Sequence, residues 1–213
     1  MLTDRGDVLF IQFAREPRAG AVKTRMQPAL SARQACSLHS DLLLWTCRSL
    51  CEAKLADVEL WIAGGRDHAV FERCETLGIT TLYSQRGADL GERMASAMAD
   101  GLARYRKVIL VGSDCPAIDS DYLQKAIAAL DTQPLVLGPA SDGGYVLIGT
   151  TRIQAAIFAG VSWGSSQVFT ETVQRIVEEG SGWCQLSTLS DIDRPEDLPQ
   201  WRALSSAGRV SLA

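Results

Sequence analysis

The stretch Val108-Ile109-Leu110-Val111-Gly112-Ser113-Asp114-Cys115-Pro116 joins an unbroken apolar run to a polar turn. A short run without polar alternation suits a strand covered on both faces, as in a helix-flanked parallel sheet. A carboxylate at the end of such a strand is costly unless it is paired or binds a metal. The turn is therefore a place to look for chemistry.

Working outward, strand-like and helix-like segments alternate on both sides of this run. Upstream, residues 8–14, 58–63 and 80–84 read as strands. Ser31 and Gln34 form a capping box that opens a helix whose apolar face repeats at Ala35, Leu38, Leu42 and Trp45. A helix over 67–77 is stopped by Gly78, and Asp89 with Glu92 opens another that runs to about 105. Downstream, Asp119 caps a helix to about 130, strands follow at 135–137 and 145–148, and a helix covers 166–179. A last strand at 184–189 and a helix at 195–204 complete the series, with Asp193 and Glu196 matching a capping box. This alternation predicts an α/β protein, a Rossmann-like three-layer sandwich around a mostly parallel sheet. Residues 1–204 read as one domain and 205–213 as a small, polar, flexible tail.

The 213 residues carry 21 basic and 25 acidic side chains, a net charge of −4. Nothing in that balance attracts nucleic acid or an anionic membrane, so an anionic substrate needs a local cluster of cations. No apolar run is long enough to insert into a membrane, and the charged N-terminus resembles no secretory leader, so a cytoplasmic protein is expected. The six cysteines form no C-x-x-C pair. They read as buried apolar thiols, with Cys47 and Cys51 close enough on one helix to meet. His39 and His68 lie in helical stretches without metal-ligand spacing and read as structural.

In open α/β sheets, ligands bind where strands end. Four loops after strands hold unusual residues. The first, from Arg15 to Arg25, brings Arg15, Arg18, Lys23 and Arg25 around Gly20, an exposed cationic loop suited to phosphate. It matches neither G-x-x-x-x-G-K-[ST] nor G-x-G-x-x-G. The second holds Asp114, a hard-oxygen ligand for Mg²⁺ or Mn²⁺ or else a turn cap. Its neighbour Cys115 has no histidine near it in sequence to act as base. The third, Gly138-Pro139-Ala140-Ser141-Asp142-Gly143-Gly144-Tyr145, contains an Asp-Gly turn. Alternatively Gly143 and Gly144 let a substrate lie against the backbone, with Asp142 as base. In the fourth, Ser190-Asp191-Ile192-Asp193-Arg194-Pro195-Glu196-Asp197, Asp193 is a helix cap or a second metal carboxylate. Arg93, at a helix start, adds a cation at a natural anion site, and Trp163 is a core aromatic or a pocket wall.

Taken in order, Pro17-Arg18-Ala19-Gly20-Ala21-Val22-Lys23-Thr24-Arg25, Leu90-Gly91-Glu92-Arg93-Met94, Gly112-Ser113-Asp114-Cys115-Pro116, Gly138 to Tyr145 and Asp191 to Leu198 resemble a known set. It is that of a bacterial glycosyltransferase-like family in the nucleotide-diphospho-sugar transferase superfamily. The resemblance implies that superfamily's GT-A-like fold, with Lys23 and Arg25 holding phosphates and Asp114 and Asp193 holding Mg²⁺ or Mn²⁺. The chain lacks the glycine-rich L-x-A-G-G-x-G-x-R-M start of sugar nucleotidyltransferases and a literal D-x-D at Ser113-Asp114-Cys115. Three functions stay open. One is transfer of a glycosyl group from a nucleotide-diphospho-sugar to an unknown acceptor. The others are nucleotidyl transfer with release of pyrophosphate, and a non-catalytic nucleotide-binding module. A homodimer is left open as well.

Overall fold

The computed structural model of the chain describes residues 6–27 and 29–206. Seven strands are β1 (Val8–Arg15), β2 (Asp57–Ala63), β3 (Thr81–Ser84), β4 (Lys107–Val111), β5 (Leu135–Pro139), β6 (Tyr145–Thr150) and β7 (Cys184–Gln185). The helices are α1 (Ala32–Ala53), α2 (Ala69–Leu77), α3 (Leu90–Leu102), α4 (Ser120–Ala129), α5 (Val168–Glu178) and α6 (Leu198–Leu204). The strands form one sheet in the order β3-β2-β1-β4-β6-β5-β7. Only β6 runs against its neighbours β4 and β5. The mostly parallel three-layer α/β sandwich expected from the alternation is the fold observed.

The side-chain alternation of β1 shows how the layers form. Val8, Phe10 and Ala14 face a core shared with α1, α2 and α4. Leu9, Ile11 and Phe13 face a second core shared with α3 and α5. A third cluster brings Met26, Leu38, Leu42, Trp45, Ile192 and Trp201 together, so α6 and the loop before it are anchored on α1. Burying each such large side chain contributes roughly 1.5–3 kcal/mol.

Several boundaries differ from expectation. α2 begins two residues late because His68 is its cap, its Nδ1 accepting from Val70 N at 3.2 Å. β7 is two residues long, and only an isolated bridge from Ala140 to Leu189 continues it. The Ser31–Gln34 capping box forms in full. The Asp193–Glu196 box does not. Asp197 reaches back instead, accepting from Asp193 N at 2.9 Å and Arg194 N at 2.7 Å, which leaves the Asp193 carboxylate free to point elsewhere. Ser205 and Ser206 continue the last helical turn, and the rest of the expected tail, 207–213, lies outside the described residues.

Candidate functional site

The chain leaves β1 toward β2 on one side and reaches β4 on the other, so strand order reverses between β1 and β4. Their C-terminal loops splay apart there and open a crevice. A cavity of about 600 Å³ fills it, lined among others by Arg15, Lys23, Arg25, His39, Arg93 and Asp114. A smaller cavity of about 240 Å³ adjoins it, walled by Phe13, Met94, Tyr145 and Trp163, with Asp142 and Arg25 at its polar rim.

The loop after β1 is pinned by Met26, fully buried in the third cluster. That anchor turns Lys23 inward. Its side chain is only 3% exposed, and its Nζ lies 3.0 Å from Asp114 Oδ1 and 3.5 Å from Asp193 Oδ1. Nζ also donates to the Ile192 carbonyl at 2.5 Å. The expected exposed phosphate lysine is thus a buried one, held by three oxygens. Ile192 ties the loops further, because its N–H donates to the Asp114 carbonyl at 2.8 Å. Arg25 stays half exposed and donates to Asp193 Oδ2 at 2.8 Å.

Two carboxylates from loops 79 residues apart therefore meet at one cation, although nothing in their sequence neighbourhoods pairs them. Apart from the Lys23 ion pair, Asp114 Oδ1 is a buried oxygen without a hydrogen bond. Two carboxylates and a carbonyl around one point make a hard-oxygen set of the kind that Mg²⁺ and Mn²⁺ accept. Among the described residues, no group of three or more His, Cys, Asp or Glu side chains is placed to hold a metal ion.

The other expected residues divide. Arg15 is exposed on the larger cavity, and its carbonyl contacts His39 Nε2 at 3.0 Å. Arg93 faces the same cavity, its Nε donating to the Gly87 carbonyl at 3.1 Å. Gly20 has φ 84° at an exposed turn and does not line either of these two cavities. Asp142 forms the expected Asp-Gly turn, its Oδ1 accepting from Gly144 N at 2.9 Å, while it also faces the smaller cavity. Gly144 lines that cavity too. Gly143 lines neither of these two cavities, and at φ 92° its missing Cβ makes room for the Ser166 carbonyl. Trp163 lines both cavities with its Nε1–H buried and unpartnered, and Gly91 is bare because a Cβ there would lie 2.7 Å from the Trp163 ring.

Sequence reasoning missed two residues. His39 is a wall of the larger cavity rather than a bystander on α1, and burial holds its imidazole below the ordinary value against the pull of Asp114. Asp191 is pushed up to about 6, first by burial and then by the Asp142 carboxylate. The signal for Asp191 was its place beside Asp193 in the fourth loop; a polar residue next to the apolar stripe of α1 was the only one for His39. Cys115 is buried, and that burial raises its thiol to about 12, which disfavours a nucleophilic role.

Several solved structures with a similar fold are named as transferases of nucleotides or sugar nucleotides. A proposed nucleotide-diphospho-sugar transferase from Desulfovibrio desulfuricans G20 is 29% identical, with 97% of this chain and 92% of that one covered at a TM-score of 0.85. The inositol-1-phosphate CTP transferase of T. maritima is 14% identical, covers 98% and 99% of the two chains and has a TM-score of 0.61. Rv0371c from Mycobacterium tuberculosis H37Rv, crystallised with manganese, is 16% identical over 92% and 97%, with a TM-score of 0.57. The fold is that of the nucleotide-diphospho-sugar transferases. Residues 46–165, more than half of the chain, match the bacterial family described as "Uncharacterized protein conserved in bacteria (DUF2064)", and the chain belongs to that family. No curated protein matches it.

Proposed function

We propose that the protein is a metal-dependent transferase that binds a nucleotide-diphospho-sugar in the larger cavity and passes its glycosyl group to an acceptor in the smaller one. The observation that carries this reading is the meeting of Lys23, Arg25, Asp114 and Asp193 where β1 and β4 end. Cations and carboxylates together suit a diphosphate bound with a divalent ion, whereas either alone would suit only one of the two.

Asp114 and Asp193 would hold Mg²⁺ or Mn²⁺, which when bound neutralises the leaving diphosphate. Arg15, Arg25 and Arg93, which line the larger cavity, would hold the phosphates. Asp142 stands at the rim of the smaller cavity and takes the proton of the acceptor hydroxyl. The hydroxyl oxygen then bonds to the anomeric carbon, the carbon–phosphate-oxygen bond breaks, and the nucleoside diphosphate leaves with the electron pair. Trp163 and Tyr145 wall the acceptor space and exclude water. Residues 1–204 act as one domain. All six cysteines are free thiols, which suits the reducing cytoplasm, and no helix among the described residues is long and apolar enough to cross a membrane.

A second reading, nucleotidyl transfer with release of pyrophosphate, is favoured by the late carboxylate Asp193 in front of Pro195-Glu196-Asp197, a layout similar to some nucleotidyltransferases. Product analysis separates the two. The protein is first screened by thermal shift against nucleotides and sugar nucleotides with and without Mn²⁺, since a ligand of the native state raises its melting point. Free nucleoside diphosphate from the ligand found supports glycosyl transfer, pyrophosphate from a triphosphate replaces it with the second reading, and binding without turnover of any donor defeats both.

A further inference from the structure

The metal position implied above is already taken by a side chain of the protein itself. Lys23 Nζ lies among Asp114 Oδ1, Asp193 Oδ1 and the Ile192 carbonyl, at 3.0, 3.5 and 2.5 Å. The ammonium is buried, and the two partly exposed carboxylates supply the negative charge that it needs there. Arg25 engages the other oxygen of Asp193, so both oxygens of that carboxylate face cations of the chain. Counting these four groups, the two acidic and two basic charges cancel, and a divalent ion entering alone meets little net attraction and a like charge at close range.

A second observation comes from the backbone. Lys23 has φ 49° and ψ 40°, one of two non-glycine residues with positive φ among the described residues. A side chain with a Cβ takes that conformation only when its surroundings hold it there, and such strain is relieved when they let go. Lys23 follows the exposed turn Arg18 to Ala21 after a single buried residue, Val22, and lines the cavity where a diphosphate would lie. A phosphate oxygen competes for an ammonium as well as a carboxylate does.

Resting on the metal and diphosphate reading above, we infer that Lys23 is a resident cation that closes the Asp114–Asp193 site to divalent metal until a substrate diphosphate draws the ammonium away. Metal and diphosphate then bind together, and neither binds well alone. The lysine keeps the two carboxylates assembled in the meantime, as a positioning residue.

The test uses Mn²⁺ alone, read by the loss of its free electron-spin-resonance signal, on the full chain and on Lys23→Gln and Lys23→Met. Gln keeps a donor for the Ile192 carbonyl, and Met keeps the volume. Without any anion, the unaltered protein is expected to bind Mn²⁺ no tighter than about 1 mM, and both variants at least about tenfold tighter, since a unit of like charge within contact distance has gone. The gain disappears when Asp114→Asn is added. In metal-free buffer, inorganic pyrophosphate binds each variant at least about tenfold more weakly than the parent. Unchanged Mn²⁺ affinity in the variants overturns the inference. So does a site tighter than about 1 mM in the unaltered protein that Asp114→Asn removes. Loss of the fold in both variants also overturns it, because Lys23 is then a structural pin. Nucleotide binding with Mn²⁺ in the parent tests the proposed function separately. If it is seen while the variants gain no Mn²⁺ affinity, the gate alone fails. If the variants gain affinity but no nucleotide binds, the gate stands and the function fails.

Discussion

Two ion-pair clusters, each built on one buried charge, lie toward opposite ends of the strands, and they are built differently. Near the start of β2, Glu59 is 2% exposed and takes both terminal nitrogens of Arg104, at 2.5 and 3.1 Å, with Trp61 Nε1 donating to it at 3.2 Å. Arg104 also rests against the rings of Tyr83 and Tyr105. Both Glu59 oxygens are satisfied, and Glu59 lines neither of the two cavities at the strand ends. At the other end, Lys23 is shared by two carboxylates, Asp114 keeps a buried oxygen without a hydrogen bond, and Asp114 and Arg25 are about half exposed to the crevice. A closed pair holds structure together; a cluster with unspent bonding capacity facing a cavity is ready for a ligand.

The sharpest way to break that comparison is at the closed pair. Glu59→Gln leaves Arg104 and Trp61 without their acceptor charge and is expected to lower stability by about 3 kcal/mol, with ligand affinity of the folded protein unchanged. Urea denaturation measures it, and a loss below about 1 kcal/mol would show that the pair is not structural. Asp114→Asn is expected to do the reverse. Metal-dependent nucleotide affinity falls by about 2–3 kcal/mol by calorimetry, with the melting temperature nearly kept. Asp193 sharpens the same end. Because its carboxylate caps no helix, Asp193→Asn and Asp193→Ser are expected to fold and to lose about 1.5–2 kcal/mol of nucleotide affinity in the presence of Mn²⁺. Unchanged affinity in both would leave Asp114 as the only metal carboxylate.

The smallest expected effect concerns pH. Asp191 titrates at about 6 in the folded protein against an ordinary 3.8. The folded state therefore keeps a proton that the unfolded state releases between those values, and this group's contribution to stability falls as pH rises through that window. Asp191→Asn removes the loss. Discounted for partial exposure, the variant is expected to be more stable than the parent by about 1 kcal/mol at pH 7 and no more stable at pH 3. Equal differences at the two pH values would mean that Asp191 is not held protonated by its surroundings.

Much of the fold was legible in the residues. The apolar runs of β1, β2 and β4 left few ways to be buried other than between two helical layers, and Ser31, Asp89 and Asp119 each cap the helix expected of them. Local chemistry misled at the fourth loop, where Asp193-Arg194-Pro195-Glu196 has the spacing of a capping box. Asp197 meets those backbone donors instead, and the freed Asp193 turns to Lys23 and Arg25. Gly143 likewise lies against a neighbour 23 positions away, the Ser166 backbone, which its own sequence surroundings do not announce.

By itself, then, the sequence determined the layered α/β sheet, the strand ends where ligands can gather, and the residue types waiting there, because periodicity, caps and turns act between near neighbours. Only the tertiary structure decided that Lys23 is buried rather than exposed, that Asp114 and Asp193 share it, and that His39 walls the cavity. Those facts depend on Met26, Ile192 and Trp201 packing together on α1, and no local pattern encodes contacts between segments that far apart in the chain.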